Sequence, residues 1–222
     1  MNNIPVVITG IIDTNIDILL NTYKSYNNKI ISTWNNQNKD YIKILEENNF
    51  IIVLSDYPVN NNSTNYQIKA SHAGCLKAKE LGFEYVIRMR SDVNCNNFNL
   101  FIESLYNSNF FNKEKLISFS GMKYHGNPTD TRVCIMDNMI GGYINNMIEF
   151  YGTLQESGDN RFPEEYLQEN YLKKNNITTI DILNKFNFCY DICKNNNITF
   201  FIAKCYNWEF INWRCIQADA WR

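Results

Sequence analysis

Short apolar runs and longer two-faced segments alternate through the first ninety residues. Residues 5–9 (PVVIT) form a brief apolar run closed by Gly10, the signature of a buried strand and a turn. Residues 13–26 carry Ile16, Leu19, Leu20 and Tyr23 at helical spacing. A second strand follows at 29–33 (KIIST), a helix at 39–48 and a third strand at 50–54 (FIIVL). After a polar loop, residues 65–81 make the longest helix, stopped at Gly82, and 84–90 (EYVIRMR) make a fourth strand. Such an alternation of fully apolar strands with helices predicts a parallel sheet covered on both faces. Beyond Asp92 the pattern loosens: helices are expected at 97–106, 141–151 and 163–174, and strands at 115–120, 131–136 and 198–203. No repeat or linker divides the chain, so one α/β domain is expected, with a Rossmann-like, mostly parallel sheet.

Composition narrows the classes. A chain of 222 residues can bury roughly 70% of its extended surface, enough for a full core. With 45% hydrophobic and 20% charged residues it is neither disordered nor membrane-spanning. A net charge of −2 and a pI near 5.7 argue against a general nucleic-acid binder. Seven cysteines, with no C-x-x-C, fit neither a zinc site nor a disulfide framework. Residues 1–5 lack the basic stretch and cleavage site of a signal peptide, so a cytoplasmic location is expected. Asn is abundant alongside Ile, Lys, Tyr and Phe, all with A/T-rich codons, so a single Asn says little. Asn runs read as loops.

Ligands of doubly wound sheets sit at the carboxyl ends of the strands. Those ends are Thr9–Gly10, Thr33–Trp34, Ser55–Asp56 and Arg90–Ser91–Asp92. Residues 65–94 are the most informative: a helix of small residues leads through Gly82 into a strand that delivers Arg88 and Arg90 on one side. The strand ends in Ser91–Asp92, with Asn94 behind. Two guanidiniums beside a carboxylate suit a diphosphate and a divalent cation, Mg²⁺ or Mn²⁺. The plainer alternative is a structural ion pair between an arginine and Asp92. Thr9 and Gly10 stand where a nucleotide would rest, although Gly10 also serves the turn. An incoming hydroxyl that displaces a diphosphate needs a base. Asp137, Glu164, Glu165 and Asp219 are the candidates. Glu164 and Glu165 follow Pro163 at a helix start, where acidic residues are favoured by the helix dipole in any case. Asp219 lies in a Trp-rich tail and is equally a candidate second metal ligand. Trp34 suits stacking or core packing. His72 reads as a packing residue, and His125 as a surface one.

The motifs PVVITG, IISTW, N-x-Q-I, A-G-x-x-x-A-K and YVIRMRSD, followed by MDNMIGG and PEEYL, occur in this order over about three quarters of the chain. In that order they resemble the WavE-like glycosyltransferases, including single-domain members from large DNA viruses. The resemblance implies a GT-A-type fold, a nucleotide-diphosphate-sugar donor such as a UDP-sugar, and a divalent cation. It also implies a glycan or glycoprotein acceptor. Asn65 and Gln67 would contact the nucleotide-sugar, Arg88 and Arg90 the diphosphate, and Asp92 with Asn94 and Asp219 the metal. Residues 1–94 would form the donor half and 95–222 the acceptor side. The chain departs from the family in having Tyr66 where Arg is common. It also has one sure carboxylate where many GT-A enzymes carry D-x-D.

Two other classes stand beside this one. A sugar-phosphate nucleotidyltransferase shares the doubly wound sheet but calls for a Gly-rich, basic first loop, and GIIDTN supplies neither. A glycan- or nucleotide-sugar-binding module would retain the fold without the chemistry.

Overall fold

The computed structural model describes residues 4–13, 16–59, 62–119, 121–123, 133–159, 161–177, 184–202 and 211–212. The elements follow in chain order. First come β1 (Val6–Thr9), α1 (Ile16–Tyr23), β2 (Lys29–Trp34), α2 (Lys39–Glu47), β3 (Phe50–Ser55), α3 (Ser63–Glu80) and β4 (Tyr85–Arg90). Then come β5 (Val93–Cys95), α4 (Phe98–Asn107), β6 (Leu116–Ser118), β7 (Gly121–Lys123), β8 (Val133–Ile135) and β9 (Met139–Tyr143). The last are α5 (Ile144–Phe150), α6 (Pro163–Lys174), β10 (Phe186–Phe188), α7 (Tyr190–Asn195), β11 (Phe200–Ile202) and β12 (Ile211–Asn212).

Seven strands make the main sheet in the order β10-β6-β9-β4-β1-β2-β3. The pairs β1–β2, β2–β3, β1–β4 and β6–β10 are parallel, and β9 runs antiparallel between β4 and β6. The architecture is thus α/β, Rossmann-like and mostly parallel, as expected, with one antiparallel insertion. A small sheet β12-β11-β5 and a ribbon β7-β8 complete it.

Alternation along each strand divides the core in two. Val6, Ile8, Ile31, Ile87 and Met89 face one side, where α1, α2, α4 and α7 contribute Leu19, Tyr23, Leu45, Phe101 and Cys193. Val7, Ile30, Val86 and Ile140 face the other, against Ile68, Cys75 and Ala78 of α3, Met147 and Phe150 of α5, and Leu167 and Tyr171 of α6. Strands buried on both faces explain why the sequence shows continuous apolar runs there and no alternation.

The expected helix over 141–151 is corrected. Its first part is β9, and the helix begins at Ile144. Gly141 and Gly142, expected at the helix start, sit instead within the sheet, where side chains would not fit. A Cβ on Gly141 would meet Ile87 Cδ1 at 2.4 Å, and Gly142 has φ +150° beside Leu116. The short β5, β10 and α7 went unassigned in the sequence because three- to six-residue elements hold too little periodicity to register.

Asn also does local work that its abundance hides. Asn38, Asn62 and Asn97 cap α2, α3 and α4, each side chain accepting from a first-turn amide. Asn49, Asn109, Asn176 and Asn197 follow the ends of α2, α4, α6 and α7 with φ between 51° and 62°, the left-handed stop that Gly82 provides for α3.

Helix α3 lies so close to the sheet that a Cβ on Gly74 would stand 2.3 Å from Val7 Cγ1 and 3.0 Å from Ser32 Cβ. Gly74→Ala should therefore destabilise the fold by about 1–3 kcal/mol through overpacking, set against a helix-propensity gain of up to about 1 kcal/mol. Urea denaturation should show a lower midpoint at unchanged slope.

Candidate active site

The chain winds from β1 through β2 to β3 in one direction, then crosses back through α3 to place β4 on the other side of β1. That reversal opens a crevice at the carboxyl ends of β1 and β4, where Thr9 and Arg90 are register partners. A cleft of about 230 Å³ occupies it. Thr9, Gly10, Gln67, Arg88, Arg90 and Asp92, all singled out in the sequence, line it together. Ile11, Trp34, Ser63, Tyr66, Ala70 and Ser91 complete the wall.

Arg88 forms the floor. It is 1% exposed, yet its partners are neutral: Nε donates to Thr9 Oγ1 at 2.8 Å and Nη1 to the Asp137 carbonyl, with the Tyr151 ring 5.7 Å away. Arg90 stands nearer the mouth and grips Asp92 with two bonds, Nε to Oδ1 at 2.9 Å and Nη2 to Oδ2 at 2.6 Å. Its Nη1 reaches Asn138 Oδ1 at 3.3 Å. Burial works against the Arg90 charge, but the Asp92 carboxylate, with Asp137 and Glu164 behind it, outweighs burial and holds the guanidinium above its ordinary pKa. Gln67 Oε1 is buried without a hydrogen-bond partner at the cleft wall, an acceptor suited to a ligand's donor.

The first loop is tied down. Gly10 has φ +128°, and a Cβ there would meet Ser91 Oγ at 2.6 Å. Thr33 Oγ1 donates to the Gly10 carbonyl at 2.7 Å and Ser91 Oγ to the Ile11 carbonyl at 2.7 Å. The Ile12 amide donates to Gln37 Oε1 at 2.9 Å. Trp34 is 2% exposed and stacks on Tyr57 at 4.9 Å, with Tyr66 edge-on to both. It is therefore mainly a packed wall.

Among the carboxylates named as base candidates, the fold brings Glu164 and Asp137 together, with Arg90 close to both. Burial first, and then the neighbouring Asp137 charge, push the Glu164 carboxyl up to about 7, against the pull of Arg90. Burial and a neighbouring carboxylate both favour the protonated form of Glu164. Glu165, one residue on, stands about 100° further round α6.

Two of the expected residues fall elsewhere. Asn65 is 1% exposed and does not line the cleft. Its Nδ2 donates to the Gln155 carbonyl at 3.0 Å and its Oδ1 accepts from the Gln155 amide at 2.6 Å, so it fastens the 151–162 segment to α3. Asn94 turns to α1, where its Oδ1 accepts from Thr22 Oγ1 at 2.7 Å. Asp219 and His125 lie outside the described residues. The described side chains also do not fit the divalent cation that the resemblance implies. Both Asp92 oxygens are held by Arg90, Asn94 faces away, and no group of three His, Cys, Asp or Glu converges among the described residues. Ser63 and Asn138 are site residues that the sequence reading passed over. Only the N-terminal position of Ser63 on α3 and the place of Asn138 inside MDNMIGG could have flagged them.

No family model and no curated protein sequence matches this chain. Among solved structures, it is similar to one described as a glucose-1-phosphate thymidylyltransferase from Bacillus anthracis. The identity is 11%, with 83% of this chain and 86% of that one covered and a TM-score of 0.48. It is also similar to a 4-diphosphocytidyl-2C-methyl-D-erythritol synthase from Anaerococcus prevotii, at 14% identity, 79% and 83% coverage and a TM-score of 0.48. A mannose-1-phosphate geranyltransferase from Thermus thermophilus is similar at 10% identity, 82% and 70% coverage and a TM-score of 0.41. No helix among the described residues is long and apolar enough to cross a membrane.

The carboxyl pair makes stability depend on pH. Glu164 holds its proton more tightly in the fold than its ordinary value of 4.5 would allow. Its contribution is therefore complete below pH 4.5 and lost as pH rises through about 7. Chemical denaturation at several pH values should show stability falling across that window, and Glu164→Gln should flatten the fall.

Proposed function

We propose that this protein is a glycosyltransferase that takes a sugar from a nucleotide-diphosphate-sugar and passes it to a hydroxyl of a glycan. The observation that carries this reading is the pair of guanidiniums at the crevice between β1 and β4, one of them buried with only neutral partners. A buried guanidinium opening on a cleft calls for an anion there, and the planar fork of Arg matches phosphate oxygens.

The chemistry follows from the residues. Breaking the sugar–phosphate bond leaves negative charge on the departing diphosphate, and Arg88 and Arg90 are preorganised donors for it. Arg90 can keep its hold on Asp92 while Arg88 meets phosphate, or turn from Asp92 to phosphate. Gln67 Oε1 accepts from a ribose or sugar hydroxyl. Glu164, raised to about 7 beside Asp137, is matched to take up the proton of the incoming hydroxyl near neutral pH. UDP is the first nucleotide to test, and the charge work is assigned to the arginines with no step routed through a cation.

Sugar-phosphate nucleotidyl transfer is the second reading. It would yield the same kind of nucleotide-diphosphate-sugar as product, and the two-guanidinium floor serves it too. Against it stands the first loop, which carries Ile11, Ile12 and Asp13 but no basic residue, and whose Ile12 amide is already engaged by Gln37. A triphosphate would find little to hold it there.

Calorimetry with UDP should show binding that Arg88→Lys weakens by tenfold or more, since a point charge replaces a fork held on two sides. Incubation with UDP-sugars and glycans should release UDP. Release of pyrophosphate from a nucleoside triphosphate and a sugar phosphate, with no UDP release, would replace the first reading by the second.

A further inference from the structure

Next to the cleft, and sharing Ser63 with it, lies a second cavity of about 440 Å³ between the start of α3 and the segment leading into α6. Its walls include Asn62, Gln155, Asp159, Arg161 and Phe162. We infer that this cavity is a saccharide subsite that seats the terminal unit of a neutral glycan acceptor, with Phe162 as the platform for the sugar ring. The acceptor role rests on the glycosyltransferase reading; the choice of a neutral, hydroxylated ligand rests on the cavity.

Charge decides against a phosphate. Arg161 is the one cation among the lining residues, and it is already caged. It pairs with both Asp159 oxygens on one side and with Glu169 on the other, while its plane lies 4.9 Å from the Tyr166 ring. The Arg161 guanidinium draws the Asp159 carboxyl down to about 2, so an ionised acceptor faces the space at any physiological pH. An anion would meet Asp159 and Glu169 before any available positive charge.

The walls are preorganised. Gln155 is 2% exposed and is fixed from four directions. Its backbone pairs with the Asn65 amide group, its Oε1 accepts from Asn62 at 3.0 Å, and its Nε2 donates to Asp159 Oδ1 and to the Arg161 carbonyl, each at 3.0 Å. Thr64 and Tyr166 tie the same segment through the Arg161 and Leu154 carbonyls. Fixed amides and carboxylates of this kind recognise hydroxyl groups. Phe162 is 54% exposed on the wall of this polar space, where its ring offers an apolar face to a ligand. Position completes the argument: Pro163 lines the cavity, and Glu164, the next residue, sits beside Arg90 of the donor cleft. A hydroxyl presented from this side arrives at the carboxyl pair.

The test is a backbone NMR titration of the whole chain with lactose, maltose and N,N′-diacetylchitobiose, each at millimolar concentration, beside a separate titration with UDP. At least one disaccharide should move the amides of Gln155, Gly158 and Phe162 while leaving Gly10 still, and UDP should do the reverse. Phe162→Ala should weaken the disaccharide roughly three- to tenfold and leave UDP binding unchanged. No movement at residues 155–162 with any of the three, or an unchanged affinity in Phe162→Ala, overturns the subsite. Saccharide shifts without UDP shifts would keep the subsite and sink the donor reading; UDP shifts alone would do the opposite.

Discussion

A guanidinium cannot be buried between strands unless its charge and its donors are answered, and the site grows outward from how Arg88 is answered. Thr9 takes one donor from the neighbouring strand, and the Asp137 carbonyl takes another from the turn that leads into β9. Those two contacts come from opposite sides of β4, so the side chain locks β1, β4 and the approach to β9 in one arrangement. Burying a charge against neutral partners costs several kcal/mol of lost hydration, and a fold that retains such a group has a use for it. The crevice made by the reversal of strand order supplies that use.

Arg90 is treated differently. It shares its charge with Asp92 and is backed by the Asp137–Glu164 pair, so carboxyl groups answer its charge from two sides. With both Asp92 oxygens engaged by Arg90, Arg88 is the guanidinium bonded to no carboxylate, and a carboxylate at the end of β4 is poorly placed to hold a cation. Removing Asp92 from Arg90 would disturb both halves of the ion pair at once.

The second wall of the site depends on a contact across ninety residues. Asn65 and Gln155 exchange hydrogen bonds that any amide pair could make, and through them the 151–162 segment is held against α3 as firmly as a strand would be. Between α5 and α6 the side chains of Gln155, Asp159 and Arg161 hold one another, so these three present a fixed surface. Glycines in β9 act in the same spirit at the sheet. Their lack of a side chain lets an antiparallel strand fit between β4 and β6, and the turn before it brings the Asp137 carbonyl to Arg88 and the Asn138 side chain to Arg90.

How much of this could be read from the chain follows from what range each signal has. Continuous apolar runs, helical spacing and strand-end polarity are local, so residues 5–90 alone determined the α/β class and the parallel core. The same local rules placed Thr9, Gly10, Arg88, Arg90 and Asp92 on one edge. Spacing could say that Arg90 and Asp92 are close, but not that both carboxylate oxygens would be taken. It could say that Glu164 and Glu165 begin a helix, but not which of them would meet Asp137. The family resemblance put Asn65 at the nucleotide-sugar, and only the return of the chain at Gln155 shows where its amide goes. Those outcomes rest on contacts between segments tens of residues apart, whose partners are chosen by packing and carry no mark in the sequence.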